Sequence, residues 1–221
     1  MYLERDNNNN MVQTINGTQH TAWVNPAQRS PEFEIIRYIS KYTRLSEAEV
    51  RVFLESLNFQ TFKKGDILLR EGQISDLCYF NLKGCVRQYY LIDGEERTTN
   101  FFTEGQPISP NEGCFKKRPS KFYLSCVEDC ILTVGSPEDE QKFYQQNPQL
   151  EGVCRVAVED ELGKSQHDFA TFMLSSPEER YLNLIKTRPE LIDRVPQYQL
   201  ASYLGIKPES LSRIRKRIML R

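Results

Sequence analysis

Apolar positions along the chain change period twice, and each change marks a boundary. Ser30 is placed as an N-cap before Pro31 at a first helical position, and Phe33, Ile36 and Ile39 follow at helical spacing. Ser46, with Glu49 three residues on, forms a capping box that opens a second helix through Val50, Phe53, Leu54 and Leu57. From Thr61 to about Gly135 the helical period gives way to short apolar runs at 67–69, 77–82, 86–92, 97–102, 122–127 and 131–134. Gly65-Asp66, Gly72, Gly84 and Asp93-Gly94 separate them, the last being a tight hairpin signal. Strands at this spacing predict a small antiparallel barrel or jelly roll.

Helical spacing returns at Ser136, where Pro137 and Asp139 repeat the cap-and-proline pattern. A long helix is predicted from Pro148 to about Met173. Its apolar residues Leu150, Val153, Cys154, Ala157, Val158, Leu162, Phe169, Phe172 and Met173 cover more than one face. Such a helix needs two partners, here the chain's own roll and a second copy, so residues 148–173 are expected to form a homodimer. Burial within one monomer is the alternative. Ser176, Pro177 and Glu179 then form a third cap, expected to mark a hinge. The helix after it, from Glu178 to Lys186, is predicted to turn Tyr181, Leu184 and Ile185 toward a separate core.

The last stretch carries the chemistry. Leu200, Ala201 and Leu204 lie at helical intervals, and Ala201 is small enough for close helix approach. Gly205 permits a sharp turn, and Pro208 fits the first turn of a second helix. In that helix Leu211, Ile214 and Ile218 form one apolar stripe, while Glu209, Ser212, Arg213 and Lys216 fall on the other face. This is the pattern of a helix-turn-helix that presents one face to a DNA major groove. The bland alternative is a surface helix pair with a solvated basic tail.

Charge sharpens the picture locally. The chain of 221 residues has a formal charge of −1, which argues against a non-specific nucleic-acid coat protein. From Gly205 to Arg221, six cations (Lys207, Arg213, Arg215, Lys216, Arg217, Arg221) face one anion, Glu209, giving +5 and leaving −6 on residues 1–204. No apolar run is long enough to span a bilayer and the start lacks a signal-peptide pattern, so a cytoplasmic location is expected. The six cysteines (Cys78, Cys85, Cys114, Cys126, Cys130, Cys154) form no C-x-x-C pair and read as free, mostly buried thiols. Residues 1–30, with the polar tract Asn7–Asn10, are expected to be a flexible extension.

Taken together, 64–72, 79–84, 200–206 and 209–213 resemble the corresponding motifs of the Crp/Fnr family of transcription regulators. That resemblance implies an α+β fold: an N-terminal antiparallel β-roll of the cyclic-nucleotide-binding, jelly-roll type, a long dimerisation helix and a C-terminal winged-helix or helix-turn-helix. The implied division is 1–30 extension, 31–147 roll with flanking helices, 148–175 dimerisation helix and hinge, and 176–221 DNA-binding domain. It implies a homodimeric, sequence-specific DNA-binding regulator, not an enzyme, with double-stranded DNA, a second copy and RNA polymerase as partners. Glu209, Ser212 and Arg213 are expected to read bases, since an arginine can pair bidentately with guanine and a glutamate can accept from cytosine. Gln197, Tyr198, Ser210, Lys216 and Arg217 are expected to meet phosphates. Pro208 stands where the type member has a further arginine, so a different base sequence is expected to be read.

The effector site departs from the family pattern. Ser109-Pro110 and Ser120-Lys121 occupy the positions of its Gly-Glu and Arg-Ser phosphate-binding pairs, which argues against cyclic AMP. Ser109, Arg118, Ser120, Lys121, Ser165 and Gln166 remain the candidates for another effector. An iron–sulfur cluster has no N-terminal cysteine group to hold it. Haem has only His20 and His167, both outside the roll. Thiol sensing by Cys126 and Cys130 competes with simple burial. A cupin-type metal enzyme needs clustered histidines on strands, and the roll has none. The remaining alternative is a small-molecule-binding roll that acts through protein partners.

Overall fold

The structure, a computed structural model, describes residues 2–5, 11–15, 18–20, 31–109 and 118–219. The chain divides into two compact units, 1–56 and 57–221. The first unit holds three short antiparallel strands, β1 (Tyr2–Arg5), β2 (Met11–Ile15) and β3 (Thr18–His20), and two helices, α1 (Pro31–Ile39) and α2 (Glu47–Glu55). A three-stranded sheet thus occupies part of the stretch expected to be a flexible extension. The helices group with it, a different division from the boundary at residue 31 drawn from the sequence. The Ser46–Glu49 capping box is formed as predicted, but α2 ends at Glu55, so Leu57 lies beyond it.

The second unit begins with eight strands: β4 (Phe59–Phe62), β5 (Ile67–Leu69), β6 (Cys78–Lys83), β7 (Val86–Ile92), β8 (Glu95–Phe102), β9 (Gln106–Ile108), β10 (Tyr123–Cys126) and β11 (Cys130–Gly135). They form two antiparallel four-stranded sheets, ordered β5-β10-β7-β8 and β4-β11-β6-β9. This is the predicted roll. Leu69, Val86, Ile108, Leu124, Cys126 and Leu132 meet between the sheets and are fully or almost fully buried. Asn81 pins the interior, its Nδ2 donating to the carbonyls of Gly84 at 2.8 Å and Phe102 at 2.9 Å. At Gly84 (φ +101°) a Cβ would come within 2.6 Å of both the Asp129 carbonyl oxygen and Cys130 Sγ, so no other residue fits. The β7–β8 hairpin turns at Asp93 (φ +52°) and Gly94 (φ +80°), the positive-φ pair that a two-residue hairpin demands.

Two helices follow, α3 (Pro137–Gln146), with its Ser136–Asp139 capping box, and α4 (Pro148–Leu174), 27 residues long. Leu150 and Ala157 of α4 are buried, whereas Val158, Leu162 (58% exposed), Phe169 (67%) and Met173 are bare. Four shorter helices end the chain: α5 (Pro177–Thr187), α6 (Glu190–Arg194), α7 (Gln197–Tyr203) and α8 (Pro208–Met219). No strand lies among described residues 176–219, so no β-wing accompanies the terminal helices there, unlike the winged form the resemblance implied. No helix among the described residues is long and apolar enough to cross a membrane.

Candidate nucleic-acid interface

The terminal helices are built from the apolar stripes the sequence displays. The Ser176–Glu179 capping box starts α5, which buries Tyr181 and Leu184. Ile185, predicted to join them, is more than a third exposed. Leu191 and Val195 bridge to α7, whose Leu200 and Ala201 are buried beneath α8. Gly205 (φ +70°) ends α7 in a Schellman turn: Ile206 N–H donates to Ala201 O and Gly205 N–H to Ser202 O, each at 3.0 Å. Burying the methyl of Ala201 and fixing this turn set the angle at which α8 departs.

Leu211 (1% exposed) and Ile214 (6%) anchor α8, with Ile218 packed beside them. Glu209, Ser212, Arg213 and Lys216 are all exposed along its opposite side, one helical face. Arg213 is held only loosely, its Nε 3.4 Å from Glu209 O and its Nη2 3.5 Å from Ser210 Oγ. Lys207 supplies no side-chain cap, but its carbonyl accepts from Ser210 and Leu211. Gln197 and Tyr198 are exposed in the first turn of α7, and Ser210 is half-buried. Arg217, expected to meet phosphates, donates from its Nη1 to Glu178 at 2.8 Å, tying α8 to α5, and remains more than half exposed.

Sequence reasoning missed the residues that dock this head onto the roll. The Ser202 hydroxyl accepts from Thr98 N–H and donates to Glu96 O, both at 2.9 Å, completing the free edge of β8. Arg188 Nη1 donates to Phe101 O at 2.8 Å, and its Nη2 reaches Thr103 Oγ1 at 3.2 Å. Arg194 forks to both carboxylate oxygens of Glu104 at 2.7 and 2.9 Å and also binds Glu128. Burial opposes ionisation of Glu104, but the Arg194 guanidinium and the Gly84 N–H hold its carboxyl below the usual carboxylate range. Phe101 stacks edge-on against Tyr203 at 5.3 Å. Phe101, Cys85 and Val127 of the roll join the same apolar cluster as Leu191, Leu200 and Leu211. No local periodicity announces these partners, because they lie 66 to 106 residues apart.

The effector candidates do not form a comparable site. Ser165 and Gln166 are exposed on α4, and Ser109, Arg118 and Lys121 are exposed on the roll. Ser120 is buried, with its hydroxyl donating to Phe122 O and accepting from Phe122 N–H. Pro110 and Cys114 lie outside the described residues. A cleft of about 300 Å³ opens elsewhere, lined by residues of β4, β5, β6, β11 and the start of α3, among them Gln60, Leu68, Tyr79 and Asp139. None of the six candidates lines it. Cys126 and Cys130, the pair considered for thiol sensing, are both buried, and the hydrogen bond between them holds the Cys130 thiol below and the Cys126 thiol above the ordinary range.

Comparison with known proteins agrees with this architecture. Residues 59–147 match the family model of the cyclic nucleotide-binding domain. FixK2 from Bradyrhizobium japonicum superposes with a TM-score of 0.62 at 16% identity, over 74% of this chain and 85% of that one. The c-di-GMP-responsive global regulator CLP from Xanthomonas campestris gives 0.61 at 18% identity, over 79% and 92%. A protein described as a cAMP-binding regulatory protein from Silicibacter pomeroyi gives 0.58 at 18%, over 86% and 88%. No curated protein sequence matches. At these identities the likeness is one of fold.

Proposed function

Residues 59–147 form a cyclic nucleotide-binding-family domain within a Crp/Fnr-type fold, and from that premise we propose that the chain is a homodimeric, sequence-specific DNA-binding transcription regulator. One observation carries the reading. Helix α8 buries Leu211 and Ile214 and leaves Glu209, Ser212, Arg213 and Lys216 together on an open face. Such a face has the width and donor–acceptor chemistry to read a major groove, with Arg213 suited to guanine and Glu209 to cytosine. Gln197, Tyr198, Ser210 and Lys216 serve the phosphates, which fix register without reading sequence.

The second copy is supported by α4, whose bare Val158, Leu162, Phe169 and Met173 form an apolar stripe on a 27-residue helix. Pairing these stripes places two α8 helices for a near-palindromic operator. Cyclic AMP does not fit this roll, because Ser109 and Ser120-Lys121 replace the groups that hold its phosphate. The regulator works on RNA polymerase from the operator, in the cytoplasm, and catalyses nothing.

The test is duplex binding against salt, with an operator selected from random-sequence DNA. With about three cations per protomer available to phosphates, counting Lys216 with Lys207 and Arg215 at its flanks, a dimer is expected to show a log–log slope of about −5. A flat response, or no duplex binding, favours the alternative of a small-molecule-binding roll that acts through protein partners.

A further inference from the structure

Arg180 sits where three parts of the chain converge. It lies in the first half of α5, just past the Ser176–Glu179 capping box. Its Nε donates at 3.0 Å to the carbonyl of Phe172, in the last turn of α4, where helical carbonyls lack partners. Its Nη1 donates at 3.1 Å to the carbonyl of Leu204, at the turn between α7 and α8. The guanidinium also lies over the Phe172 ring, 3.8 Å from its centroid. One planar fork therefore joins the end of the long helix to the corner from which α8 departs. Gly205 completes the fit: a Cβ there would come 3.3 Å from Arg180 Nη1 and 3.4 Å from the Phe172 ring.

We propose that Arg180 is the positioning residue that sets the separation and twist between the two α8 helices of the dimer, and so the half-site spacing the protein accepts. The inference rests on the dimeric, DNA-reading function proposed above. Each protomer's head is attached to its α4 through the short Ser175-Ser176 connection, which by itself leaves rotation free. The Arg180 fork restrains that rotation at α4 by hydrogen-bonding both sides of the connection, beside the Ser202, Arg188 and Arg194 contacts that hold the head on the roll. A cation there touches neither base nor phosphate, so its effect falls on geometry and not on the bases preferred within a half-site.

The experiment uses the full chain and a selected operator whose two half-sites are moved apart or together by single base pairs. Each step changes separation by about 3.4 Å and rotates one half-site by about 34°. A rigid pair of heads is expected to lose affinity about tenfold or more per step, because simultaneous engagement fails. Arg180→Ala is expected to flatten that profile to within about threefold per step, with base preference in a single half-site and dimer sedimentation unchanged. Arg180→Lys, which keeps the charge but cannot fork to two carbonyls, is expected to fall between the two. It carries the test if the alanine variant does not fold.

A spacing profile in either folded variant identical to wild type overturns the proposal. Wild-type protein that binds no paired half-sites overturns the functional reading and this inference with it. Normal wild-type pairing with an unchanged variant profile sinks the inference alone.

Discussion

Replacing Arg194 with alanine tests the docking of the terminal helices on the roll. The guanidinium satisfies both oxygens of Glu104 at 2.7 and 2.9 Å and bonds to Glu128, and all three side chains are partly shielded. Well-placed charge-assisted hydrogen bonds contribute about 1.5–3 kcal/mol each, but partial exposure screens this cluster. The alanine variant is therefore expected to lose about 1–3 kcal/mol at pH 7, with two carboxylates left facing each other without their cation. The pH dependence gives the sign. Glu104 titrates below its ordinary range in the folded chain, so its stabilisation is present above the unfolded carboxylate value and lost as pH falls through the folded one. Protonated Glu104 no longer needs Arg194, so the deficit should shrink from pH 7 to pH below about 4.5. Urea unfolding of both proteins at several pH values measures it. A deficit below about 0.3 kcal/mol at pH 7, or one that persists in acid, refutes the reasoning.

Two further perturbations separate base reading from dimerisation. Arg213→Ala should cost about 1–3 kcal/mol on the selected operator and relax preference at one position per half-site; selection from random DNA checks it, and an unchanged consensus counts against the role of Arg213. Leu162→Glu places a charge in the bare stripe of α4, and sedimentation should then show monomers whose operator binding falls to that of a single half-site. Retention of the dimer places the subunit interface elsewhere.

Local chemistry made much of this structure readable in advance. Ser46, Ser136 and Ser176 each announced a helix start, because a capping box is a contact three residues long. Asp93-Gly94 announced its hairpin for the same reason, and the stripe Leu211, Ile214, Ile218 fixed the face that α8 turns inward. Strands β4 and β9 escaped notice. Gln106–Ile108 spans only three residues, with a proline at its centre, and gains its place by pairing with β6. The docking surface escaped for a deeper reason. Ser202, Arg188 and Arg194 look like solvated residues of polar helices until β8 and the Glu104 and Glu128 turns are brought beside them. Arg217, counted with the basic face, also bonds to Glu178, a partner 39 residues away that the local pattern does not show.

Phe101, Cys85 and Val127 belong by sequence to the roll and by packing to the terminal helices. The terminal helical unit is consequently not a cassette. A chimera that grafted residues 176–221 onto another sensor would leave Leu191, Leu200 and Tyr203 facing a foreign wall, and would strand the Ser202 hydroxyl from its β8 edge. Under the proposed DNA-reading role, a change of specificity has to proceed on the outward side of α8, where Glu209 and Arg213 can vary without disturbing that shared interior.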